Sequence, residues 1–158
     1  MDLLAHIERC APDVDSLTMR AIVHVESGGH PWAININEGY QLVRQPRSQA
    51  EAAVTARQLV RLGYSIDAGH GQINSLNWSW LGLDADNVFD RCTNLRAAQA
   101  VLVDCFKRAP SRDPQMALKE ALSCFNTGSF TGGFHNGYVT RVLRAAAAIR
   151  SSTSPRSE

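Results

Sequence analysis

Glu26 sits in the run Val25-Glu26-Ser27-Gly28-Gly29, where a helical pattern ends. Leu17, Ala21 and Val25 make an apolar stripe with Ile22 beside it, and Asp15 or Ser16 supplies an N-cap. Helical spacing therefore puts Glu26 at the edge of the buried face, in the last turn of its helix. The negative end of a helix disfavours a carboxylate, and apolar burial does the same. Both push the pKa upward, toward what a general acid needs. At an ordinary pKa of about 4.3, roughly one molecule in 500 is protonated at pH 7. At a pKa of about 6.5 the fraction is about a quarter. Local sequence alone favours the plainer alternative, a surface glutamate at a helix end.

Three other stretches carry groups of chemical interest. In Asp67-Ala68-Gly69-His70-Gly71-Gln72-Ile73-Asn74 the glycines beside His70 would let backbone approach a ligand closely. Gln72 and Asn74 offer donors and acceptors that suit sugar hydroxyls and N-acetyl groups. His70 could act as a base, although a solvated loop histidine is the favoured reading, and Asp67 reads as turn chemistry. The G-x-G lacks the preceding strand and remaining spacing of a dinucleotide loop. Phe125-Asn126-Thr127-Gly128 joins an aromatic and an amide at a helix end, which helix termination would also explain. Tyr138 follows Asn136-Gly137 just inside the final helix, where an ordinary half-buried tyrosine is the alternative.

The elements that must position these groups read as short helices joined by Gly, Asn and Pro-rich loops. Leu3, Leu4 and Ile7 share one face of a helix that ends near Ala11-Pro12. Residues 33–45 suggest a small β-hairpin or an irregular loop around Asn37-Glu38-Gly39. Ser48-Gln49-Ala50-Glu51 is a capping box for a helix running along Ala52, Ala56, Leu59 and Val60, with Gly63 as its C′ residue. Residues 64–93 read as loop. A helix begins near Thr93-Asn94 with Leu95, Ala98, Leu102 and Cys105 inward. Asp113-Pro114 is an N-cap followed by an N1 proline, opening a helix with Leu118, Ala121, Leu122 and Phe125 inward. The last helix turns Val139, Val142, Leu143 and Ala146 inward. The expected fold is mainly α, with about six short helices and at most a small β-hairpin. One domain over 1–150 and a disordered polar tail over 151–158 are expected.

Composition excludes several classes. The chain is 44% hydrophobic and 20% charged, with a formal net charge of +1, which is globular and gives no basic surface for nucleic acid. No apolar run is long enough to span a bilayer. The N-terminus has no basic segment followed by an apolar one, so the chain as given is expected to carry no secretory signal. The cysteines Cys10, Cys92, Cys105 and Cys124 form no C-x-x-C and pair with no histidine at zinc-finger distances, so no metal is expected. Their even count leaves two disulfides and buried free thiols as open alternatives.

Each signal is weak alone, but their order is specific. Glu26-Ser27, then Gly-x-x-Gln-Ile-Asn, then aromatic-Asn-x-Gly, then Tyr138 resembles the lytic transglycosylases of the lysozyme-like superfamily. The resemblance runs from about Cys10 to Leu143. Ser75, Asn77, Phe89-Asp90, Cys92-Thr93-Asn94-Leu95 and Asn136-Gly137-Tyr138-Val139 look like the subgroup that accompanies type IV secretion systems. His70 stands where the family often has an apolar residue, Phe125 where it often has Tyr, and Ala98 where it often has Gly. A stacking role survives Tyr→Phe; a hydroxyl role does not.

The resemblance implies cleavage of the β-1,4 bond between N-acetylmuramic acid and N-acetylglucosamine in peptidoglycan, with a 1,6-anhydro product and no cofactor. Glu26 would be the acid and base, with Ser27 positioning it or the substrate. Gln72, Asn74, Phe125 and Asn126 would contact sugar, and Tyr138 would hydrogen-bond near Glu26. The remaining alternatives are a hydrolytic muramidase and a weakly active peptidoglycan-binding scaffold module. Peptidoglycan lies outside the cytoplasmic membrane, so the family implies a periplasmic protein, its signal removed, with type IV secretion components as partners. That compartment favours disulfides, and the family-guided pairing is Cys10–Cys92 with Cys105–Cys124.

Overall fold

The computed structural model describes residues 2–153. Capping side chains set most helix starts. α1 (Leu3–Cys10) begins where the Asp2 carboxylate accepts from the Ala5 N–H at 2.8 Å. α2 (Ser16–Ser27) is capped by Asp15 and closed by Gly28 in the left-handed region at φ 61°. α3 (Gln49–Arg61) is capped by Ser48, which accepts from the Glu51 N–H. The capping box closes only on that side, because the Glu51 carboxylate takes the Arg47 N–H. The one-turn α4 spans Trp78–Leu81. α5 (Arg91–Arg108) starts from Asp90, three residues earlier than the sequence suggests, and leaves Asn94 one turn inside the helix and buried. α6 (Pro114–Thr127) follows Asp113, α7 is the short turn Gly132–His135, and α8 spans Tyr138–Thr153.

The β part lies elsewhere than expected. β1 (Ile34–Ile36), β2 (Ile66–Ala68) and β3 (Ile73–Asn74) form an antiparallel sheet in the order β1-β2-β3. Residues 33–45 thus give one strand and no hairpin. The hairpin is β2–β3, within the stretch read as loop. Register places Asn35, Asp67 and Asn74 side by side across the three strands. Strands of two or three residues are too short for their alternation to be distinctive, and β1 finds its partner 32 residues further along the chain.

Two hydrophobic clusters make the core. One gathers α1, α3, the sheet and the first half of α5; the other gathers α6, α8 and the second half of α5. α2 serves both: Met19 and Val23 enter the first and Ala21 and Ile22 the second, all with 0% exposure. The helix that carries Glu26 is therefore gripped on two sides. Val60 and Leu143, expected inward, are exposed. α8 continues through Ser151–Thr153, and the rest of the expected tail, 154–158, lies outside the described residues.

Disulfides Cys10–Cys92 and Cys105–Cys124 join α1 to α5 and α5 to α6. This is the expected pairing. No free cysteine occurs among the described residues, and neither does a cluster of ligands able to hold a metal. No described helix is long and apolar enough to cross a membrane.

Candidate active site

A cleft of about 630 Å³ runs between the open face of the sheet and the facing parts of α5 and α6, with Glu26 lining it. The β2–β3 turn fixes one wall, and the buried side chain of Asn94 braces that turn from α5. Asn94 accepts from the Gly71 N–H at 2.8 Å and donates to the carbonyls of Ala68 and Val88. Glycine at these positions lets the turn press against α5. A Cβ on Gly69 would lie 2.2 Å from Asn94 Nδ2, and one on Gly71 would lie 2.9 Å from the Ala98 methyl. Ser27 ties the end of α2 to the same turn, its hydroxyl donating to the His70 carbonyl at 2.9 Å and to the Val23 carbonyl. The turn and Glu26 are thus held as one unit.

Burial pushes the Glu26 carboxyl up to about 7. The Tyr138 hydroxyl pulls it down, the charge of Asp67 pushes it up and Arg141 pulls it down again. At neutral pH about half of the molecules then carry the proton, so the group can give a proton in one step and take one in the next. Tyr138, the first residue of α8, is only 1% exposed. Its phenol is held well above its usual range by burial and by Glu26. The hydroxyl acts on Glu26 without meeting the geometry of a formed hydrogen bond, and no other described group partners it.

Asp67 departs from its reading as turn chemistry. It is on the central strand and lines the cleft with Glu26. Asn74 Nδ2 donates to Asp67 Oδ1 at 2.9 Å, yet burial, the largest effect, still raises the carboxyl. A second carboxylate therefore faces the cleft. His70 departs in the opposite sense. It is 2% exposed, neither ring nitrogen has a partner, and it does not line the cleft. Burial, with Arg91, His6 and His30 nearby, holds it down to about 4. It is a neutral interior ring and not a solvated one.

Gln72 and Asn74 both line the cleft, with amides already engaged. Gln72 Nε2 donates to the carbonyls of Ala33 and Gly69, and its Oε1 accepts from Asn35 at 2.6 Å. Gln72 adopts φ 51°, an uncommon conformation for a residue with a side chain. Asn74 donates to Ser65 and Asp67 and accepts from the Leu76 N–H. Asn126 is exposed; its Oδ1 accepts from Asn136 at 2.8 Å, and Asn136 Oδ1 accepts from the Tyr138 N–H at the start of α8. Phe125 is half-buried, bridges the two core clusters and lines the cleft. The structure thus brings Glu26, Gln72, Asn74, Phe125 and Asn126 to one cleft, with Ser27 and Tyr138 behind Glu26.

Sequence reading missed Asp67 as a cleft group, and it missed Trp80 and Arg108 on the cleft walls. Only a faint signal for Asp67 was present, too short to mark a strand on its own. Ser65-Ile66-Asp67-Ala68 alternates polar and apolar, and Ile66 and Ala68 are both fully buried.

Residues 4–144 match the family described as "Transglycosylase SLT domain". The chain belongs to the SLT transglycosylase family. It is 42% identical over 147 residues to the "Type IV secretion system protein virB1" of Brucella abortus biovar 1 (strain 9-941), covering 88% of this chain and 61% of that protein. It is also 42% identical over 147 residues to "Protein virB1" of Rhizobium radiobacter, covering 91% and 61%. Against "Protein virB1" of Agrobacterium fabrum (strain C58 / ATCC 33970) it is 42% identical over 142 residues, covering 89% and 57%. The chain therefore spans about three fifths of the length of these relatives. No solved structure gives a significant match.

Proposed function

We propose that this chain is a peptidoglycan lytic transglycosylase acting between N-acetylmuramic acid and N-acetylglucosamine. The observation that carries the reading is a protonatable Glu26, raised to about 7, in an open cleft lined with amides. Glu26 gives its proton to the glycosidic oxygen as the bond to the anomeric carbon breaks. The 2-acetamido oxygen shares the positive charge left at that carbon. Glu26, now a carboxylate, takes the proton of the sugar's own 6-hydroxyl as that oxygen bonds to the anomeric carbon. The 1,6-anhydro end forms and the acid is restored. An internal nucleophile is already held close, so no group is needed to position water. Ser27 and Tyr138 hold and tune Glu26. Gln72 and Asn74 shape the sugar-facing wall, while Asn126 and Phe125 supply an amide and a ring to the opposite one.

The SLT family and the virB1 relatives support a role in opening the cell wall for a type IV secretion apparatus, in the periplasm. Asp67 favours a second reading, hydrolysis, because most glycosidases flank the bond with two carboxylates, one able to activate water. Purified sacculi test the primary reading. Wild-type protein should clear them and Glu26→Gln should not, and equal clearing by the variant would overturn it.

A further inference from the structure

Trp78 and Trp80 are two residues apart on α4 and have opposite fates. Trp78 is 6% exposed, and its Nε1 donates to the Ile73 carbonyl at 3.0 Å, which pins α4 to the end of β3. Trp80 is 56% exposed and lines the cleft that holds Glu26. Its indole N–H is not free: it donates to Asn77 Oδ1 at 3.1 Å. Asn77 belongs to the 3-10 turn Ser75–Asn77, whose start is capped by Asn74. The exposed ring is therefore oriented by a chain of contacts that begins at the sheet.

An indole left in water keeps a large apolar area hydrated, which is unfavourable unless a ligand covers it. Leu76, 81% exposed, lies on the same wall. Together they give this wall of the cleft an apolar stretch, separate from the one that Val101 and Phe125 form on the α5–α6 side. With the N–H satisfied internally, the ring offers its faces, and a flat face suits the C–H face of a hexopyranose. Phe125, the other aromatic in the cleft, is half-buried in the core and offers less surface.

We infer that Trp80, oriented by Asn77, is a stacking platform for an N-acetylhexosamine ring of the glycan strand, at a subsite separate from the bond being cut. This rests on the glycan-cleaving reading of the same cleft. The contact forms in the bound substrate and persists in the transition state, so it should act on binding and leave the chemical step alone. Stacking on an exposed aromatic is worth about a tenfold change in affinity or somewhat more.

The test uses the full chain with Glu26→Gln to prevent turnover, and peptide-free N-acetylglucosamine hexamer as the probe. Isothermal titration calorimetry should show that Trp80→Ala weakens binding roughly tenfold while Trp80→Phe keeps most of it, and the intrinsic fluorescence of the chain that retains Trp80 should shift on titration. In the otherwise wild-type chain, Trp80→Ala should raise KM on sacculi with kcat within about twofold. Thermal melting checks that the exposed substitution leaves the fold intact. Binding of the hexamer that is unchanged in Trp80→Ala would overturn the inference and leave the catalytic reading standing. Trp80-dependent binding of stem-peptide fragments, with none of the hexamer, would overturn it in favour of a peptide site. No hexamer binding at all, together with uncut sacculi, would instead sink the glycan reading itself.

Discussion

Glu26→Gln should make the protein more stable, and the gain should depend on pH. The folded protein raises this carboxyl from 4.5 to about 7, chiefly by burial. Below pH 4.5 both folded and unfolded chains hold the proton and the group costs nothing. Between 4.5 and 7 the unfolded chain ionises first, so stability falls as pH rises. Above 7 the cost levels off at about 3 kcal/mol, taking about 1.4 kcal/mol per pH unit. At pH 5 it is below about 1 kcal/mol by the same relation. Glutamine has nearly the same shape and no charge, and any hydrogen bonds it fails to make carry the same penalty at both pH values. Urea denaturation of wild type and variant at pH 5 and pH 8 isolates the effect. The variant's advantage should grow by about 2–3 kcal/mol over that interval. An unchanged difference would mean that Glu26 is an ordinary solvated carboxylate, and the argument for a built-in acid would fail.

Two substitutions should move the alkaline limb of the kcat/KM profile in opposite directions, since that limb reports Glu26 in the free enzyme. Asp67→Asn removes the like charge that raises Glu26 and should shift the limb to lower pH. Tyr138→Phe removes a hydroxyl that lowers Glu26 and should shift it to higher pH. Coincident limbs for both variants would show that neither group acts on Glu26. Asn94→Ala leaves the Gly71 N–H and the Ala68 and Val88 carbonyls without their buried partner, so urea denaturation should show a loss of about 2–4 kcal/mol. A loss under about 0.5 kcal/mol would mean that the turn is held by other means.

Features with local causes were legible in the sequence. Ser48 and Asp113 cap their helices as read, and of the two candidates Asp15 and Ser16 it is Asp15 that caps α2, because a cap involves only three or four consecutive residues. Glu26 was placed at a helix end beside the core for the same reason. Features that depend on distant partners were not legible. The pairing of Ile34–Ile36 with Ile66–Ala68 closes a long loop that no short window contains. Without that pairing Asp67 looked like a turn residue, and the direction of its side chain toward Glu26 could not be read. His70 followed the same logic: its flanking glycines suggested an open loop, but they let the turn press against Asn94 and Ala98 in α5. The disulfides followed from family resemblance and not from spacing. Trp78 and Trp80 look alike in sequence, and only the position of α4 on the sheet decides which one is buried.

Asp67 makes the chemical outcome the point on which the account turns. One protonatable Glu26 and the sugar's own 6-hydroxyl should suffice, even with a second carboxylate facing the cleft. Mass spectrometry of the muropeptides released from purified sacculi reads this directly. Wild-type protein should release fragments ending in 1,6-anhydro-N-acetylmuramic acid, one water lighter than hydrolysis products, and Glu26→Gln should release none. Fragments carrying the full water at a reducing end would contradict the transglycosylase mechanism and make this chain a muramidase that uses both carboxylates.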